Sequence, residues 1–249
     1  MKNILTIMNF SGIYENQRFY QQDNFNWIDC QNIQGTNGLL DNHSKQMIRR
    51  MISNIDVQGI HFIDNGNYHY ISELWIEKIR HPFVLVVFDH HSDMQKSLFD
   101  EMLGCGSWIL KAIESQPYLQ KVILIGMTAS QKKKIEHLYQ DKVIIFLEDD
   151  ILKHRFASFP LDKIKDLPIY ISIDKDILSK QVIETNWDQG QVNLLDLQSL
   201  LAILLTDCDV IGIDICGECM NRIEEMKNIK KDEVVNEKLI EFIHQSLHL

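Results

Sequence analysis

Seven short apolar runs alternate along this chain with stretches whose apolar residues recur three and four apart, and that alternation leaves few folds open. The runs cover 4–8, 59–63, 83–88, 121–125, 143–146, 167–173 and 210–215. The helix-like stretches cover 44–55, 70–80, 107–115, 130–139, 194–206 and 234–247. A strand with no polar alternation must be covered on both faces, and helices of about 10–15 residues between strands supply the covers. The predicted class is therefore α/β, three layers (α-β-α) around a mainly parallel central sheet. Ser107, Ser130 and Asn193 stand where N-caps of three helices are expected. With no repeat and no linker-like tract, residues 1–249 are read as a single domain.

A net charge of −10 argues against nucleic acid as a partner, which would need clustered Lys and Arg. The run Lys132-Lys133-Lys134 is read as the solvated face of a helix. Five cysteines without regular spacing do not suggest a disulfide framework, and Cys216-Gly217-Glu218-Cys219 is a lone Cys-x-x-Cys. No segment is long enough to span a bilayer, so no membrane is expected and the cytoplasm is the default location.

The chemistry concentrates after two of the apolar runs. Asp89-His90-His91-Ser92-Asp93 follows 83–88, and Asp174-Lys175-Asp176 closes 167–173. On an extended backbone, alternate residues point one way, so each segment offers its ligands on one side. In an open parallel sheet the carboxyl ends of the strands are where ligands bind, and a third acidic segment, Asp214 to Glu218, falls there too. Asp is also a common turn former; two segments with the same spacing and the same post-strand position favour a metal site. Oxygen-rich donors with some imidazole suit Mn²⁺ or Mg²⁺, with Zn²⁺ or Fe²⁺ open. Four carboxylates exceed what one ion needs. Two ions about 3.5–4 Å apart, bridged by carboxylates and a water, would turn that water into a hydroxide nucleophile near neutral pH.

Asp-x-His-x-Asp after one strand and Ser-x-Asp-x-Asp after another (here Ser172-Ile173-Asp174-Lys175-Asp176) resemble the ureohydrolase family of arginase, agmatinase and formiminoglutamase. That family's Gly-Gly-Asp-His-Ser segment is matched here by Gly66-Asn67-Tyr68-His69-Tyr70, in which only the first Gly and the His remain. The resemblance implies an arginase-like fold and two Mn²⁺, one held by His69, Asp89, Asp93 and Asp174, the other by His91, Asp89, Asp174 and Asp176. It also implies an acidic residue holding the substrate's guanidinium. Glu218 fills that catalytic and binding role, although the family form Asp-x-x-Glu here carries one extra residue. Ureohydrolases are often oligomers, which implies a homo-oligomer.

Several departures bear on the substrate. The histidine that shuttles protons in arginase has no counterpart; Cys105, in Leu103-Gly104-Cys105-Gly106-Ser107-Trp108, stands there as proton donor or pocket wall. The Gly-Thr-Pro…Gly-Gly segment is replaced by Asn186-Trp187-Asp188-Gln189-Gly190, which makes Trp187 and Asp188 the expected substrate contacts. Retained metal chemistry with rebuilt amino-acid recognition fits a divergent member near the peptide arginases. It would cleave the guanidino C–N bond of an arginyl side chain in a peptide, or of a small guanidino compound, and release urea. A single-ion, deacetylase-like amidohydrolase and a catalytically silent metal- or guanidinium-binding domain are the alternatives.

Overall fold

The computed structural model describes residues 4–97, 102–133, 135, 139, 141–219 and 225–247. Eight strands form one sheet: β1 (Leu5–Asn9), β2 (Phe25–Asp29), β4 (Ile60–Phe62), β5 (Phe83–Phe88), β7 (Leu119–Ile125), β8 (Val143–Phe146), β9 (Ile169–Asp174) and β10 (Val210–Cys216). β3 (Leu39–Leu40) and β6 (Leu103–Gly104) make a separate antiparallel ribbon. The order β2-β1-β4-β10-β9-β5-β7-β8 is parallel throughout. The seven apolar runs all enter the sheet, because each is short, apolar and rich in β-branched or aromatic side chains.

β5 shows why both faces need cover. Val84, Val86 and Phe88 enter one hydrophobic cluster, while Phe83, Leu85 and Val87 enter the other. Helices α6 (Leu194–Asp207) and α7 (Glu225–Leu247) pack together against the first cluster; α1 (Asn42–Met51), α2 (Ile71–Ile76) and α3 (Trp108–Ser115) serve the second. No described helix is long and apolar enough to cross a membrane.

Capping follows the sequence in part. Asn193 caps α6 by accepting from the Asp196 N–H at 2.9 Å. Ser107 precedes α3 but caps no helical N–H; its Oγ exchanges hydrogen bonds with Gly104 instead. Ser130 lies inside α4 (Ala129–Lys132), whose cap is Thr128 in a reciprocal pair with Gln131. The expected helix 130–139 is thus a short turn as far as it is described, and Lys134 lies outside the described residues. β2 was not expected. It is an edge strand with mixed exposure, held on one side only by β1.

Candidate metal centre

Four neighbouring central strands, β4, β10, β9 and β5, end at one rim and supply the polar residues. Ile173 pairs with Phe88 and Cys216 with Asp174, so Asp89, Asp174 and Cys216 come level. His69 follows a 3₁₀ turn, Gly66–Tyr68, just beyond β4. Neither acidic segment prolongs its strand as expected. Asp89 to Asp93 bends, with Asp93 in the left-handed region at φ 47°, and Lys175–Ile177 forms a 3₁₀ turn begun at Asp174. The convergence comes from these turns rather than from strand alternation. Asp tolerates the left-handed conformation, and the Trp108 indole fixes Asp93 there by donating to Oδ2 at 2.7 Å.

His69 Nδ1 lies 3.2 Å from Asp89 Oδ2, 3.1 Å from Asp93 Oδ2 and 3.5 Å from Asp174 Oδ2. His91 Nδ1 lies 2.8 Å from Asp176 Oδ2 and 3.5 Å from Asp89 Oδ1. The structure thus brings together His69, Asp89, His91, Asp93, Asp174 and Asp176, with Asp89 turning one oxygen to each histidine. Behind His69, Nε2 is 2.9 Å from Ser172 Oγ, which donates to Asp214 Oδ1 at 2.6 Å. A serine whose proton goes to Asp214 can only accept from His69, so the ring carries its hydrogen on Nε2 and turns the Nδ1 lone pair toward the carboxylates. Nδ1 and Asp89 Oδ2 are both buried and without a hydrogen-bond partner. Two acceptors facing each other need a cation or a proton between them. The donor set fits divalent metal.

Without metal, a proton on Nδ1 fills that need: burial opposes charge on His69, but Asp89 and Asp93 hold it well above its ordinary value. Burial, then Asp176, pushes Asp174 up to about 7; burial, then Asp89, pushes Asp176 up to about 6. Burial opposes charge on His91, yet its contacts with Asp176 and Asp89 raise it to about 11. All three values lie above those of an unfolded chain. Their contribution to stability is therefore complete at low pH and is lost as pH rises through 6 to 7 and beyond. A divalent ion displaces these protons, so Mn²⁺ affinity should rise with pH between 5 and 8, about tenfold per pH unit for each proton released. Calorimetric titration in buffers of different ionisation enthalpy would count them; an affinity flat across that range would contradict this protonation scheme.

A cavity of about 270 Å³ opens onto the centre, walled by Gly66, Cys105, Gly106 and Trp187 among others. Trp187 donates its indole N–H to Asn67 Oδ1 at 2.9 Å, and its ring centroid is 6.1 Å from that of His91. Cys105 is on the wall, its thiol pushed by burial up to about 11. Asp188 is exposed and away from the cavity lining.

Glu218 is not on the lining either. It is fully buried behind Asp174, with Oε1 2.6 Å from Lys175 Nζ and 2.9 Å from Asn236 Nδ2, and Oε2 2.7 Å from Gln17 Nε2. The extra residue in Asp214-to-Glu218 explains this. Gly217 has φ +96°, and a Cβ there would meet Asp174 Oδ1 at 2.6 Å and Lys175 N at 2.7 Å. The chain turns at Gly217 and carries Glu218 away from the cavity. Lys175 also reaches Asp232 Oδ1 at 3.3 Å and Asn236 Oδ1 at 2.9 Å. Sequence reasoning missed the roles of Lys175, Asp232 and Asn236, and also the supporting roles of Trp108 and Ser172. One signal was legible for Lys175: a lysine between two post-strand aspartates, next to an apolar run, is set to be buried and paired.

The model of the Arginase family matches residues 5–216. A Thermotoga maritima protein described as uncharacterized is 32% identical over 212 residues, 85% of this chain and 78% of its own length. Among solved structures, proclavaminate amidino hydrolase from Streptomyces clavuligerus superposes with a TM-score of 0.70 at 14% identity, covering 98% of this chain and 92% of its own. Trypanosoma cruzi formiminoglutamase with Mn²⁺ gives 0.69 at 11% identity, covering 97% and 92%. Entamoeba histolytica arginase in complex with L-ornithine gives 0.66 at 15% identity, covering 98% and 97%. At these identities the structures speak for the arginase-like fold.

Proposed function

The chain belongs to the arginase family, and on that premise we propose that it is a Mn²⁺-dependent hydrolase of a guanidino C–N bond that releases urea. The substrate group is an arginyl side chain in a peptide or a small guanidino compound. The observation that carries the reading is the facing of His69 Nδ1 and Asp89 Oδ2, buried and unpartnered at 3.2 Å, among three further carboxylates. Members of the family are binuclear metal hydrolases of amidino bonds. One ion would be held by His69, Asp89, Asp93 and Asp174, the other by His91, Asp89, Asp174 and Asp176. Divalent ions there supply the Lewis acidity that makes water nucleophilic near neutral pH.

The chain's own residues do the rest. Ser172 fixes the tautomer of His69, Trp108 orients Asp93, and the His90 backbone N–H holds Asp176 Oδ1 at 3.0 Å. With Glu218 committed to Lys175, recognition of the guanidinium passes to Trp187, whose indole face can stack on a planar cation. The Cys105 thiol, raised to about 11, keeps its proton at neutral pH and can donate it toward the departing amine. Cys105→Ala is expected to lower kcat by about 10²-fold with metal content unchanged; an unaltered kcat would reduce the thiol to a piece of wall. Leu39 and Trp187 line the cavity and are 39% and 44% exposed, which suits a guanidino group entering while a larger body stays outside.

Reconstitution with Mn²⁺ and urea detection across arginine, agmatine, guanidinobutyrate and arginyl peptides tests the reading. Urea from a peptide substrate supports it in full, and equal turnover of free arginine removes the peptide preference. A single ion per chain would point to the deacetylase-like alternative; the two ligand clusters argue against that. The burial of Glu218 favours one rival, a silent binding domain, and full Mn²⁺ occupancy with no urea from any substrate would select it.

A further inference from the structure

Cys216 ends β10 and pairs in register with Asp174 at the end of β9, so the two side chains stand next to each other. Its Sγ is 3.2 Å from Asp174 Oδ2, the oxygen that lies 3.5 Å from His69 Nδ1. The ligand atoms of His69, Asp174 and Cys216 all lie within 4.8 Å of one another, and all three residues are buried. Neighbouring donors around one ion, bonded at about 2.0–2.3 Å, stand roughly 3–4 Å apart. His69 Nδ1, 3.5 Å from Asp174 Oδ2, is buried and without a hydrogen-bond partner. Sequence reasoning, which treated Cys216 only as half of a Cys-x-x-Cys pair, found an oxygen-rich centre; the structure adds a sulfur to one side of it.

We propose that Cys216 is a sulfur ligand to the ion held by His69 and Asp174, and that this half of the centre takes a borderline-soft cation, Zn²⁺ or Fe²⁺. The inference rests on the two-ion reading above. A thiolate ranks such ions above Mn²⁺, whereas the Asp89, His91 and Asp176 cluster keeps oxygen-dominated donors. The two halves therefore differ in metal preference. As the ion binds, the sulfur–metal bond replaces the S–H bond and the proton leaves to solvent. The other use of such a thiol, as a small buried side chain donating weakly to Asp174, leaves the metal's coordination unaltered.

Metal-stripped protein titrated with Co²⁺ separates the two. Uptake of two equivalents with a sulfur-to-cobalt absorption band in the near ultraviolet is expected, with the band absent from Cys216→Ser and retained in Cys105→Ser. In competition, the preference for Zn²⁺ over Mn²⁺ at the tighter site should fall by about 10–100-fold in Cys216→Ser. Should that variant fail to fold, X-ray absorption of the Zn²⁺-loaded wild-type protein decides, with one sulfur at about 2.3 Å expected. Two bound Co²⁺ without the band, a band that survives in Cys216→Ser, or an absorption spectrum free of sulfur would overturn the proposal while sparing the two-ion reading. No Co²⁺ uptake at all would overturn both.

Discussion

Lys175→Met should destabilise the protein by about 3–5 kcal/mol, read as a fall in the urea midpoint, because it strips the cation from a fully buried carboxylate. Lys175, Glu218 and Asp232 are each 0% exposed. Burial opposes charge on Lys175, but Glu218 and Asp232 outweigh it and hold the ammonium above its ordinary value. Burial, then Glu218, pushes Asp232 above its ordinary value, while Lys175 and the Cys219 N–H pull the other way. Removing Lys175 leaves Glu218 with the amides of Gln17 and Asn236 alone. A domain of this kind has about 5–15 kcal/mol in total, so the loss is a large share. Replacing all three charged groups, in Lys175→Met/Glu218→Leu/Asp232→Asn, should recover part of it, since no buried charge is then left without a partner. A triple variant no more stable than Lys175→Met would mean that the charge group is not the origin of the loss. The group ties α7, which carries Asp232 and Asn236, to the turn that holds Asp174 and Asp176.

That lock also shows where sequence reasoning stops. The seven interior runs announced themselves, since a strand covered on both faces must be apolar throughout. β2 did not, because an edge strand with Phe25 and Trp27 half out in solvent has no need of that pattern. The strand order, and hence which strand ends are neighbours, comes from packing over the whole sheet and leaves no local mark. Five of the six candidate ligands were legible from spacing, and His69 from the family resemblance, although bends at Asp93 and Lys175 gather them, not extended backbone. Glu218 was misplaced because counting from Asp214 cannot reveal a positive φ at Gly217, nor a lysine waiting behind Asp174. Its partners Asp232 and Asn236 reach it only once α7 has docked.

Asp174→Asn should shift stability in opposite directions with and without metal. In the stripped protein at pH 8, the wild type holds Asp174 ionised beside Asp176 and Asp89, although burial and those neighbours move its midpoint up to about 7. A folded value above the unfolded one means stability present at low pH and lost as pH climbs through 7, on the order of a few kcal/mol by pH 8. Asn carries no charge and its oxygen can still accept from the Asp176 N–H, 3.0 Å from Oδ1 in the wild type. The metal-free variant is therefore expected to melt higher than metal-free wild type at pH 8, and the gap should close toward pH 5. Mn²⁺ reverses the ranking. A single ion at 100 times its Kd adds about 2.7 kcal/mol, and Asp174 belongs to the proposed ligand set of both ions, so its loss should weaken both sites and leave little rise in Tm on adding Mn²⁺. Thermal melts of the two proteins at pH 5 and pH 8, with and without Mn²⁺, provide the four comparisons. A variant that melts lower than wild type in every condition would make Asp174 a structural residue and remove the carboxylate crowding on which the two-ion centre is argued.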